Sequence, residues 1–564
     1  MNRMTSNIGG IDPITLTVVW NSLVSIADEM GGALRRTAFS EAVREGEDFS
    51  TGLFDRQGRL IAQGNFTPGH LGAMPYAVEN VLKYIPPDTL KPGDTLCTND
   101  SFLGGAHFPD FYLVTPVFVG SDLVGYVVNT AHHVDVGGAH PGSEAVQGVK
   151  DSFAEGIRIL PVKIIRNGEF EPDILRILLG NVRLPEKVRG DLFAQRNANH
   201  VGAERLRGLI SDHGLEQFDA IVEEILNRSE ARARELLAAL PQGTFSFEDQ
   251  LDDYGPGTEP VRVCVDVTLD EDGATVDFSR SGDQVPAGIN CYINYTRAYG
   301  SFAMRIFAKI DVPNNAGVER VIKIVAREGS FFNARYPAAS GGRASVQVRI
   351  FDTVNGAMSK AVPERAMGAF SHWGNPKIGG IDDRTGKRWI MYDLIFGGYG
   401  GRSNKDGVEA LAPVMNCANV PVEVHETNNP VRIHRLQAIP DTCGAGLYRG
   451  GCGTRKDVEV LCESATVVLL GDRHKAPPYG LFGGGAGATA ETLLIRNGTT
   501  EHLGSKEIRT LQRGDIISFR LAGAGGYGDP KTRSRARVKR DVADGYITAE
   551  KAIELYGASK EELV

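Results

Sequence analysis

The chain has 564 residues, more than one hydrophobic core usually holds, so two or more domains are expected. It is 42% hydrophobic and 23% charged with a net charge of −9, a globular composition without the Lys/Arg block that marks a nucleic-acid partner. No run of ~18 apolar residues occurs, and residues 1–10 show no charged-then-apolar leader, so neither membrane nor export is expected.

Asp12-Pro13 opens a predicted helix that runs to about Ser40. Asp12 suits the N-cap and Pro13 the first helical position, and Ile14, Val18, Ile26, Met30 and Leu34 recur at helical spacing. Residues 48–63 then predict a strand, a turn at 55–58 and a second strand. Residues 78–85 predict a short helix stopped by Pro86-Pro87. From 94 to 136 the pattern is β-rich, with 112–119 and 123–130 pairing as a hairpin across Gly120-Ser121-Asp122. Residues 173–240 are expected to be helical, most clearly the amphipathic 215–240.

After Pro241-Gln242-Gly243 the chain changes character. Residues 261–277 alternate apolar and polar in the manner of a strand, and 295–310 predict a helix. Glycine-punctuated strands are expected from there to Asp529-Pro530, and a helical tail over 533–556. The fold class is α+β, multi-domain: a β-rich N-terminal part, a helical middle and a glycine-rich β C-terminal part. The expected boundary divides 1–243 from 244–564, with the two parts in contact.

The 68 glycines exceed a background of roughly 7% and cluster in pairs and triplets, as tight turns and close backbone approaches require. Gly523, Gly525 and Gly528 match G-x-G-x-x-G, but Asp529-Pro530 follows where a dinucleotide site needs a helix, so a turn is expected. No phosphate loop occurs, so the chain is not expected to bind ATP by itself, and no G-x-S-x-G elbow occurs, so a serine hydrolase of the α/β class is not expected. The seven cysteines are odd in number and form no C-x-x-C, which argues against a disulfide framework and a thiolate zinc site and for a reducing cytoplasm.

Chemistry concentrates in one window. His70, His107, His132, His133 and His140 are five of the twelve histidines, and His107 and Asp110 form H-x-x-D around Pro109. Residues three apart in a tight turn can aim at one point. A strand alternates faces, so only one of His132 and His133 can join them directly. Asp48 lies upstream, just before the first strand pair. An imidazole and carboxylate mixture suits zinc, manganese or iron(II) in an open site rather than a structural zinc. The competing reading is a set of surface or hydrogen-bonded histidines, and spacing alone leaves the two level. His70, in TPGHLGAMP, is a candidate for substrate contact or proton transfer. His133 and Asp135 are candidates to orient the ligands.

The ordered blocks IADEMGGALRRTAFS, EDFSTGLFDRQGRLIAQ, HLGAMP, NDSFLGGAHFPDFYLVTPVF, AHHVDVGGAHPGS, NCYINYTRAYG, VEVHETNNPVRI, CGAGLYRGGCG and GAGGYGDP span almost the whole chain. In them it resembles the hydantoinase B/oxoprolinase family, the smaller subunit of ATP-dependent N-methylhydantoinases and related lactamases. The resemblance implies a partner, a hydantoinase A-like ATPase that carries ATP and Mg and phosphorylates the amide oxygen of a cyclic amide. It also implies a divalent metal, zinc or manganese with iron as a third choice, on Asp48, His107, Asp110 and His132. His133, His70 and Asp135 are then the expected catalytic groups, in a heterotetramer or larger assembly. Two alternatives stand beside this: a subunit of an ATP-dependent ketone carboxylase of the acetone or acetophenone type, and a scaffold subunit whose histidines are structural.

Overall fold

The computed structural model describes residues 11–105 and 107–563; residues 1–10, where no leader is expected, lie outside the described residues. Helix α1 (Pro13–Thr37) starts as expected, with Asp12 accepting from Thr15 N and Pro13 in the first turn. It ends at Thr37 because Ser40 accepts from Val43 N and caps a separate turn, α2 (Glu41–Arg44).

A seven-stranded antiparallel sheet forms next, from β1 (Phe49–Asp55), β2 (Leu60–Gln63), β3 (Thr95–Thr98), β4 (Asp110–Val119), β5 (Asp122–His132), β6 (Val162–Arg166) and β7 (Glu169–Phe170). Its spatial order is β2-β1-β5-β4-β3-β6-β7. The expected hairpin is β4–β5, extended at its open end so that Asp110 and His132 stand opposite each other.

Helix α3 (Pro68–Tyr84) covers one face, packing Met74, Val78 and Val81 on Phe54, Tyr112, Tyr126 and Val128. It begins ahead of the expected 78 because Gly69, Gly72 and Pro75 hide its helical pattern. Gly72 is needed: a Cβ there would lie 2.5 Å from the Cα of Ala298. The helical middle is α4 (Pro172–Gly180), α5 (Pro185–His213) and α6 (Leu215–Ala238). Helices α1, α5 and α6 cover the other face of the sheet through Leu23, Met30, Leu206 and Ile225.

Beyond residue 243, β8 (Gly243–Leu251), β9 (Val261–Asp270), β10 (Gly273–Asp277) and β11 (Ile322–Val325) form a sheet ordered β11-β10-β9-β8. The alternating stretch 261–277 is thus a hairpin rather than one strand. Helix α7 (Ile293–Ala308) is the expected one, and α8 (Ala316–Glu319) is a single turn. Helix α9 (Gln347–Met358) was not expected. All its residues are buried, and a helix surrounded on every side shows no apolar stripe. Val134 and Leu237 share a hydrophobic cluster with Val263, Tyr295 and Phe351, so segments on either side of residue 243 are packed together.

Three further sheets follow, the smallest pairing Trp373–Gly374 with Ile395–Phe396. Of the larger two, one orders Arg388–Tyr392, Lys377–Ile381, Ser464–Val468 and Ile508–Gln512; the other orders Val431–Ile439, Gly453–Val460, Ile516–Arg520, Glu491–Arg496 and Thr499–Leu503. Beside them, glycine-rich segments pack backbone on backbone: at Gly525 a Cβ would lie 1.8 Å from Tyr479 O. The G-x-G-x-x-G match lies in this stack and leads into the short turn Pro530–Thr532. The tail forms helices Arg535–Ala543, Ala549–Tyr556 and Lys560–Leu563. Among the described residues, no helix is long and apolar enough to cross a membrane.

Candidate metal centre

Strand alternation assembles the site. On β5, Tyr126 and Val128 face α3, whereas Asn129 donates to Gln195 O and Asn199 Oδ1 of α5. Even positions therefore lead to α3 and odd positions to α5, which sends His132 and His133 to opposite faces. On β4, Asp110 shares the face of Tyr112 and lies opposite His132. On the other side of β5, His132 N donates to Asp48 O, just ahead of β1. Three neighbouring strand ends thus bring Asp48, His132 and Asp110 together. His107 joins them through the tight turn in which Asp110 N donates to His107 O.

The side chains meet closely. His107 Nε2 is 2.9 Å from Asp110 Oδ1 and 3.1 Å from His132 Nδ1, and His132 Nδ1 is 3.2 Å from Asp110 Oδ1. Asp48 Oδ2 is 4.0 Å from His132 Nδ1. Ligands about 2.1 Å from one cation stand roughly 3.0 to 3.4 Å apart, the spacing of this triangle. His70, in the first turn of α3, is nearby: its Nε2 lies 3.4 Å from Asp110 Oδ1 and 3.7 Å from Asp48 Oδ1.

Residues that the sequence did not single out complete the enclosure. Glu144 Oε1 lies 3.0 Å from His107 Nδ1 and 4.0 Å from His132 Nε2. His107, His132 and Glu144 each offer a ligand atom, all within 4.8 Å of one another. Lys377 pairs with Glu144, and Arg343 Nη2 donates to Asp110 Oδ2 at 2.8 Å. Tyr392 donates to Asp48 Oδ2 at 2.9 Å. Glu144 follows the block AHHVDVGGAHPGS directly, so an acidic residue in a glycine-rich loop beside paired histidines was an available signal. Lys377, Arg343 and Tyr392 lie hundreds of positions away and carry no local mark.

Electrostatics favour a cation here. His107 Nδ1 donates to Gly341 O at 2.9 Å, which leaves the Nε2 lone pair facing Asp110 and His132. Burial, and after it the Arg343 charge, push the His107 pKa down to about 3. Burial opposes an ionised Asp110, but His107 and His70 outweigh it and hold the carboxyl well below the usual range. A neutral imidazole lone pair against a carboxylate oxygen repels unless a cation or proton lies between them. His132 Nε2 and His70 Nδ1 are buried without a hydrogen-bond partner among the described residues. The donor set is imidazole and carboxylate, which fits zinc, manganese or iron(II). These side chains line a cavity of ≈ 20 Å³, room for one water-sized species.

Two expected catalytic residues are not in this cavity. His133 bonds Gln195 Oε1 at 3.0 Å and packs its ring, tilted by 35°, against Phe111 on the α5 face. Asp135 accepts from Arg183 Nη1 at 2.8 Å and from the N–H groups of Arg183 and Gly137, so it anchors a loop. Neither of these two expected catalytic residues therefore reaches the cavity in this structure. Of the sequence candidates, the cavity is lined by Asp48, His70, His107 and His132, and Asp110 touches both His107 and His132.

The family model described as Hydantoinase B/oxoprolinase matches residues 12–530. A D-/L-hydantoinase subunit of Pseudomonas sp. (strain NS671) is 32% identical, over 99% of this chain and 97% of that protein. The crystal structure of the ATP-dependent caprolactamase from Pseudomonas jessenii superposes with a TM-score of 0.92 at 30% identity, covering 98% of this chain and 97% of that one. A nucleotide-free acetone carboxylase shares the fold, with a TM-score of 0.89 at 19% identity over 98% of this chain and 81% of that one.

Proposed function

The chain belongs to the hydantoinase B/oxoprolinase family, and from that premise we propose that it is the metal-bearing subunit of an ATP-dependent hydrolase that opens a cyclic amide or imide. The single observation that carries the reading is the convergence of Asp48, His70, His107, Asp110 and His132 around a cavity sized for one ion or water. The hydantoinase and caprolactamase names of its relatives support the substrate class. That the hydantoinase relative is itself a subunit supports a hydantoinase A-like ATPase partner, which would phosphorylate the amide oxygen in a heterotetramer or larger complex. The seven cysteines are all unpaired, in keeping with a cytoplasmic setting.

Asp48, His107, Asp110 and His132 would hold the ion, with Glu144 and Gly341 O orienting His107 from behind. Bound there, a divalent metal supplies Lewis acidity toward a water or carbonyl oxygen. Ring opening also needs a proton on the departing nitrogen. Burial opposes protonation of His70, but Asp110 and Asp48 outweigh it and raise its pKa. Its Nδ1 is buried without a partner among the described residues and the side chain lines the cavity, which supports His70 as the group that carries this proton. Arg343 pairs with Asp110 at 2.8 Å, and the buried walls limit access of bulk water.

The test is elemental analysis of the purified complex with assays on hydantoin, 5-oxoproline and larger lactams in the presence of ATP. One transition metal per chain and phosphate release matched to ring opening are expected, and His107→Ala should lose both. Full turnover without metal would end the proposal. The shared fold with acetone carboxylase favours one second reading, a ketone carboxylase subunit, for which activity would require bicarbonate.

A further inference from the structure

A second, larger cavity of ≈ 700 Å³ lies against the first. The two are built from the same elements. Helix α3 turns His70 to the small cavity and Leu71 to the large one; α7 turns Tyr299 to the small cavity and Ala298 and Arg305 to the large one. Met415 lines both.

The large cavity holds polar atoms that the fold leaves unsatisfied. Arg305, in the last turn of α7, has its Nε buried without a partner. Among the described residues its guanidinium donates only a long 3.5 Å bond, from Nη2 to Val312 O, and forms no ion pair. Glu319 also lines the cavity, but its carboxylate accepts from Ser301 Oγ at 2.9 and 3.0 Å instead. Asn314, 7% exposed, donates to Gln63 Oε1 at 3.1 Å and leaves its Oδ1 unpartnered. A half-buried cation that makes no direct ion pair is costly in the free protein, even with the Glu319 charge in the same cavity. In a cavity of ligand size, a ligand is the natural source of a direct ion-pair partner. Burial lowers the Arg305 pKa, and the Glu319 charge offsets that only in part.

We infer that this cavity is a binding site for a small ligand with an anionic oxygen group, carboxylate or phosphoryl, held by Arg305, and an amide N–H given to Asn314 Oδ1. A cyclic amide that bears an acid, or its phosphorylated form, carries both groups. The identity of the ligand rests on the hydrolase reading; the anion site does not. Leu71, the neighbour of His70 on α3, lines this cavity.

The full-length chain is titrated calorimetrically with inorganic phosphate, 5-oxoproline and hydantoin. The two anions should bind, with uncharged hydantoin about tenfold or more weaker. A preference for 5-oxoproline identifies a carboxylate site and a preference for phosphate a phosphoryl site; each supports the inference. Arg305→Met should remove anion binding and leave metal content unchanged, and Arg305→Lys should retain much of the binding. His107→Ala should lose metal and keep the anion site, which separates failure of this inference from failure of the hydrolase reading. In the wild-type chain, either anion should slow phenylglyoxal modification of Arg305 as read by mass spectrometry. The inference is overturned by absence of anion binding, by unchanged binding in Arg305→Met, by loss of binding in His107→Ala, or by modification of Arg305 that ligand does not slow.

Discussion

The hydroxyl of Tyr392 donates a 2.9 Å hydrogen bond to Asp48 Oδ2, joining residues 344 positions apart. Burial raises the tyrosine pKa well above its ordinary value, so the hydroxyl remains a donor. The bond turns Asp48 so that its other oxygen faces His70. Tyr392→Phe removes this restraint and leaves every proposed ligand in place. Metal affinity should fall by roughly 10–100-fold, read as metal retained after dialysis against a graded chelator. Unchanged retention would show that Asp48 is held without Tyr392.

Glu144 stands between His107 Nδ1 and the Lys377 ammonium, with both side chains buried. Glu144→Gln removes the partner of Lys377, whose pKa burial already holds well below its ordinary value, and should lower stability. Glu144→Gln combined with Lys377→Met should recover part of the stability while metal retention stays low. Denaturant midpoints for the two single variants and the double variant measure the coupling. Additive losses would mean that the pair is not coupled.

His133 is held by Gln195 and Phe111 on the face of β5 turned from the cavity. His133→Ala should keep the metal stoichiometry of the wild type and lose about 1–3 kcal/mol of stability, because the Gln195 acceptor is left buried. The adjacent His132→Ala should instead lose metal. Metal analysis of this pair of neighbours tests the alternation directly, and equal losses would refute it.

Glu155 accepts from Ser340 N and Gly341 N, and Gly341 O in turn holds His107 Nδ1. Burial pushes the Glu155 pKa from 4.5 up to about 8, against the pull of those N–H groups and Arg343. Between these values the folded chain keeps a proton that the unfolded chain has released. Folding stability should therefore decline as pH rises through this window, by at most about 1.4 kcal/mol per pH unit. Glu155→Gln removes that decline and keeps an oxygen acceptor for the loop. Urea midpoints of the two proteins, compared at about pH 5 and about pH 8, should diverge; parallel profiles would contradict the assignment.

Local pattern was enough wherever a single element carried its own signal. Asp12-Pro13 marked the start of α1, the β4–β5 hairpin followed from its two apolar runs and the turn between them, and H-x-x-D placed His107 and Asp110 on one point. Alternation also required the vicinal histidines to part, and His132 and His133 do so. The pattern failed where tertiary packing overrode it. Helix α3 tolerates glycine at 72 because α7 presses on it, and α9 shows no stripe because it is enclosed on all sides.

The amino-acid sequence by itself determined the family, the α+β class and the stretch from which the imidazoles and carboxylates come. Only the tertiary structure decided which of them face one another, that His133 and Asp135 do not, and that Glu144, Arg343, Lys377 and Tyr392 close the site. The reason is range. Helix and strand periodicity reports neighbours a few residues apart, whereas the charge balance of a buried site is set by groups that reach it from distant strands and helices, and their spacing along the chain leaves no trace of that meeting.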